Sequence, residues 1–179
     1  MALALLTDPL HAETAGTQGM SVEWAQLIER DDRNIISADI HYHFPDVVLR
    51  ALEEGIPLTF RIEFRILRLR TMLWSETLLQ DERTIQLRYQ PLAKSYQISD
   101  LGSGAVVHYA NLVNVLDTLS HLRGWSVPAP PEANTDEKRI ASLKLYFDVE
   151  ALPLPLRLQA YLSPQWKMDT PSYRWPLAH

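Results

Sequence analysis

The chain of 179 residues carries 17 lysines and arginines against 22 aspartates and glutamates, a formal charge of -5, with 46% hydrophobic residues and no cysteine. That balance suits one globular domain with a sizeable core, and it speaks against a general nucleic-acid binder or a polybasic membrane patch, both of which need a basic surface. Disulfides, thiolate metal sites and cysteine nucleophiles are excluded outright.

Residues 1–19 stand apart from residues 20–179, which read as a single antiparallel β-rich domain. Ala2 to Leu6 is a short apolar run and Ala12 a candidate cleavage position, but no Lys or Arg precedes them. Two readings stay open: the tail of an export signal that begins upstream of Met1, or a disordered N-terminus. No apolar run approaches the ~20 residues that span a bilayer, so no transmembrane segment is predicted.

Val22 to Glu29 and Ile35 to Phe44 are two runs joined by a charged turn that includes Asp31, Asp32 and Asn34, and they predict a hairpin. In the second run Ala38, Ile40, Tyr42 and Phe44 share one face, and Asp39, His41 and His43 share the other. Pro45 opens a short helix that Gly55 ends, with Asp46 at its positive N-terminus. The chain then enters its most informative stretch, Gly55 to Arg70. Ile56, Leu58, Phe60, Ile62, Phe64 and Ile66 alternate with Arg61, Glu63 and Arg65, which predicts a long strand with one buried face. After Ile66 the phase slips, and a bulge near Ile66 and Leu67 would restore it.

From Glu76 the chain reads as polar until Thr84, where a hairpin over Thr84 to Ser99 begins, turning at Pro91 to Ser95. Asp100 to Gly104 is loop. A second helix is predicted from Asn111 to Arg123, with Leu112, Val115, Leu116, Leu119 and Leu122 as its apolar stripe and Gly124 as its stop. Val127 to Asp136 is a proline-rich loop. Ala141 to Val149 alternates again as a strand. The prolines of LPLPL favour an extended corner, followed by a last strand with Leu156, Leu158, Ala160 and Leu162 pointing inward. The tail from Pro164 reads as an irregular cover. The sum is an α+β, β-rich fold: an antiparallel, sandwich-like sheet of about seven strands with two short helices.

The blocks ALEEGIPLTFRIEF, RTIQLRYQPLAKSYQIS, LSHLRGW and LPLPLRLQAYLSPQW together resemble an uncharacterised proteobacterial domain-of-unknown-function family, over Asn34 to Trp175. The residues that carry the resemblance are Gly55, Pro57, Phe60, Tyr89, Tyr96, Arg123, Trp125, Pro155 and Trp166. Members of that family are exported, and their genes often lie beside one for a membrane sensor histidine kinase of the nitrogen-regulation type. The resemblance therefore implies a periplasmic protein, with cytoplasmic residence as the alternative, whose partner is a membrane sensor or another envelope protein. It implies no activity.

The chemistry legible in the residues is sparse. Asp39, His41 and His43 on one strand face could ligate a transition metal, against the simpler reading of a solvated surface, and no metal or cofactor is assigned. Gly102, Ser103 and Gly104 fall short of the G-x-S-x-G elbow, and neither His108 nor His121 is marked as a base. Asp31 with Asp32, Glu53 with Glu54, and Asp81 with Glu82 are neighbours along the chain, whereas acid–base pairs converge from separate elements. Arg61, Arg65, Arg68 and Arg70 form a basic strip, and with Trp74 and Trp166 the candidate partner-binding residues are Arg61, Arg65, Arg68, Trp74 and Trp166. The competing reading pairs the arginines with carboxylates such as Glu63. The expectation is a non-enzymatic envelope interaction domain. The alternative is a carrier of a small ligand or lipid between the sheets, and an enzyme ranks last.

Overall fold

The computed structural model describes residues 19–30, 33–70, 74–130 and 138–177. Residues 1–18 of the segment read as a signal remnant or a disordered N-terminus, and the pair Asp31 and Asp32, lie outside these. Among the described residues nine strands form two antiparallel sheets. The first has the order β1 (Gly19–Arg30), β2 (Arg33–His43), β7 (His121–Val127). The second runs β6 (Val106–Tyr109), β5 (Ser95–Asp100), β4 (Glu76–Gln90), β3 (Leu58–Arg68), β8 (Arg139–Phe147), β9 (Tyr173–Pro176). Helices α1 (Asp46–Glu53) and α2 (Leu112–Ser120) carry the chain from one sheet to the other, and α3 (Leu154–Leu162) links β8 to β9.

The expected alternation is the backbone of this arrangement. Phe60, Ile62, Phe64 and Ile66 of β3 are all buried, and they meet the inner row Ile36, Ala38, Ile40 and Tyr42 of β2 in one shared core. Rings cross from sheet to sheet: Tyr42 lies 6.0 Å from Phe60, and Phe64 lies 6.3 Å from Trp125 of β7. This is the sandwich-like α+β fold that the alternating rows imply.

Several local expectations are corrected. The register between β3 and β4 does break at Ile66 and Leu67, but the extra residue is Leu78 on β4, because Ile66 faces Leu79 and Leu67 faces Thr77. The phase slip of β3 therefore stays, and Arg68 stands opposite Glu76 on one side and Arg139 on the other. Glu76 to Arg83, read as a polar connection, is the first half of β4. Its inner positions are held by Asp81 and Arg83, so no alternation could be seen, yet β3 pairs with it throughout.

The second helix stops at Ser120. Leu122 and Trp125 belong to β7, where Leu122 faces Ala38 and Trp125 faces Ile36. The free edge of β2 needs a partner for its backbone groups, and that tertiary demand overrides the helical spacing of the leucines. Gly124, with φ 68°, supplies a left-handed residue inside β7 where the register against β2 shifts.

The last predicted strand is helix α3. Pro155 sits in its first turn, where a missing N–H costs no helical bond. Of the expected inward row only Ala160 is buried, and Leu158 and Leu162 are exposed. The tail is partly regular, since Tyr173–Pro176 pairs with β8.

Candidate functional site

Arg61 and Arg65 stand on the outer face of β3, whereas Arg68 holds an inner position beyond Ile66 and Arg70 lies past the strand's end, and each of the four is paired with a carboxylate. Arg61 Nε lies 3.4 Å from Asp148, Arg65 Nη2 donates to Glu63 at 2.7 Å, Arg68 Nη1 donates to Glu76 at 3.0 Å, and Arg70 also bonds Glu76. Gln80 Nε2 donates to Glu63 at 3.4 Å from β4. The carboxylate-paired reading is the one these side chains adopt. Trp74 is 92% exposed. Trp166 is a correction: at 2% exposure, its ring stacked on Phe147 at 5.9 Å, it belongs to the core and presents nothing to a partner.

Asp39, His41 and His43 do share the outer face of the smaller sheet, but Asp39 is bonded by Arg123 reaching across from β7. Arg123 Nη1 also donates to the carbonyls of Ala38 and Leu122, and its guanidinium lies over the Trp24 ring. Among the described residues no three His, Asp or Glu side chains form a metal-holding group.

Ser103 serves a turn. Asp100 Oδ1 accepts from the Gly102 amide at 2.9 Å and the Ser103 amide at 3.0 Å, and Ser103 Oγ accepts from Ala105 N at 3.3 Å. His108 sits opposite Gln97 on the outer face of the larger sheet, and His121 Nδ1 is 2.7 Å from the Asp117 carbonyl. Asp81 and Glu82 occupy successive positions of β4, and Glu53 and Glu54 close α1, so neither pair converges.

Partial burial pushes the Asp100 carboxyl up, but the Ser103 amide, the Arg83 guanidinium and the Gly102 amide outweigh it and hold the group below the ordinary carboxylate range. The folded protein therefore binds this proton less readily than the unfolded chain. The stabilisation is complete above the unfolded value near pH 4 and is lost as pH falls through the lower folded value. Urea unfolding of an Asp100→Asn variant should show a shallower loss of stability on acidification than the parent. Parallel acid profiles would contradict this.

Two features escaped the sequence. Along α3, Leu154, Leu158, Tyr161 and Leu162 are 71%, 69%, 54% and 87% exposed. Their spacing of four, three and one puts them on one helix face, a signal that the prolines and the period-two reading of the same leucines concealed. The helix is held by Arg157, whose Nη1 donates to Glu150 at 3.2 Å and whose Nη2 donates to the Leu152 carbonyl at 3.1 Å. The second is an ion pair on the inner face of the larger sheet, where Arg83 Nε donates to Asp100 Oδ2 at 2.7 Å. Two positions seventeen apart in a polar stretch gave no sequence signal.

A family model described as a domain of unknown function, DUF4390, matches residues 17–176. No curated protein and no solved structure matches the chain.

Proposed function

The chain belongs to the DUF4390 family, a domain of unknown function, and we propose on that premise that it works by binding a protein partner in the cell envelope, without catalysis, through the exposed face of α3. The observation that carries this reading is the row Leu154, Leu158, Tyr161 and Leu162, four large apolar side chains left in water on a helix whose other contacts fix it in place. Exposed apolar patches on a folded domain mark interaction surfaces. Arg157 is the only charged residue of the helix and is already bonded to Glu150, so the face offers nothing specific to an anionic lipid surface or an acidic protein. Its complement is an apolar groove on a partner, the arrangement in which an amphipathic helix anchors by residues one turn apart. The resemblance of the chain to exported proteins encoded beside a sensor kinase supports an envelope protein as that partner.

Carriage of a ligand between the sheets is the weaker reading, because Ile36, Leu58, Phe64 and Leu143, at 0% exposure, already fill that space. Placing a photo-cross-linking residue at Tyr161 in intact cells tests the docking proposal. A discrete adduct is expected in the envelope fraction, lost when Leu158 is replaced by Glu, while the stability of Leu158→Glu changes by less than about 0.5 kcal/mol. An adduct that survives Leu158→Glu, or one confined to the cytoplasm, would overturn the proposal.

A further inference from the structure

At the rim of the sandwich, where β4 and β5 face β7, the inner row of the larger sheet changes character. Leu87 and Ile85 are buried and apolar, but the next inner position of β4, opposite Ile62, is Arg83. Asp100 stands on the same face, opposite Ile85. Its Oδ2 accepts from Arg83 Nε at 2.7 Å while its Oδ1 accepts from the Gly102 and Ser103 amides. The carboxylate therefore fixes the arginine from the side. Among the described residues the two terminal amines of Arg83 have no acceptor. A groove of about 370 Å³ opens beside them, lined also by Ser103, Trp125 and Ser126.

We infer that this groove binds the carboxylate of a small organic acid, held by the free fork of Arg83. The planar fork presents parallel N–H groups that match the two oxygens of a carboxylate, and Asp100 has already oriented it. The Arg83 charge is balanced by Asp100, and Glu82 also lines the groove, so what the site offers is the unbonded pair of terminal N–H groups. Arg123, the other cation beside the groove, is bonded by Asp39 and by the Ala38 carbonyl. The fork suits a planar monoanion that takes both N–H groups, whereas a phosphate dianion would set two negative charges beside Asp100 and Glu82. A groove of this volume takes a small molecule, with Trp125 against its organic body.

Titration of the full chain with sodium benzoate, followed by the NMR signals of the Trp125 indole and the Gly102 and Ser103 amides, tests this. Saturable shifts are expected with benzoate and much weaker ones with inorganic phosphate. Arg83→Lys, which keeps the charge and loses the fork, should weaken benzoate binding at least about tenfold. Should Arg83→Lys disturb folding, Ser126→Phe fills the groove from an exposed position and should abolish the shifts with the fold intact. Absence of saturable shifts with benzoate, equal response to phosphate, or binding undiminished in Ser126→Phe each overturns the assignment. The α3 docking proposal is unaffected by any of these results, since the two sites share no residue.

Discussion

Replacing Trp166 by alanine should destabilise the protein by about 3–5 kcal/mol, the range for removing a large aromatic side chain from a core. Trp166 ends a chain of ring contacts that ties the C-terminal segment to both sheets. It stacks on Phe147, Phe147 lies 5.6 Å from Phe60, and Phe60 lies 6.0 Å from Tyr42 of β2. Met168 and Thr170, two and four residues on, are buried as well, and Thr170 Oγ1 accepts from the Leu145 amide at 2.9 Å. Alanine at 166 would leave a cavity that Phe147, fixed in the β8 ladder, has little freedom to close. Denaturant unfolding measures the effect. A change below about 1 kcal/mol would mean that the ring is not enclosed as described.

Phe64→Ala and Arg65→Ala, adjacent on β3, should differ by several kcal/mol. Phe64 is fully enclosed, with Trp125 at 6.3 Å across the sandwich and Trp175 of β9 at 6.2 Å. Its truncation should cost about 3–5 kcal/mol. Arg65, one residue later, points to the other face, is 40% exposed and among the described residues pairs only with Glu63. Solvent screens that pair, and its loss should cost less than about 1 kcal/mol. The contrast tests the alternation itself, since a strand shifted by one residue would reverse the two results. Measuring both midpoints under identical conditions removes any common error.

The parts of this fold legible in the residues were those where one face of a strand is buried and the other is wet. The hairpin of β1 and β2, the central strand β3 and the pair β4–β5 beyond Thr84 all announced themselves in this way. The first half of β4 did not, because Asp81 and Arg83 hold inner positions at the rim. Leu122 misled because its place in an apolar stripe at helical spacing also fits a bulged strand, and the edge of β2 decided between the two. In α3 the letters LPLPL favour extended backbone locally, yet a proline in the first turn is compatible with a helix once Arg157 can anchor it to Glu150.

The candidate sites were less legible than the fold. Arg61, Arg65 and Arg68 were found, but their neutralisation depends on Asp148, Glu63 and Glu76, whose proximity is a matter of register. Trp166 looked available because its neighbours are prolines and polar residues, and only the packing of Phe147 enclosed it.

By itself the sequence determined that an antiparallel, two-faced sheet would form, since hydrophobic alternation is a local property and carries its own free energy. Which polar groups stand free, and which greasy faces stay uncovered, was decided only by the assembled sheets. Burial and pairing depend on residues distant in the chain arriving at the same place, as Arg83 and Asp100 do across a hairpin, whereas Leu154, Leu158 and Leu162 of α3 stay exposed among the described residues.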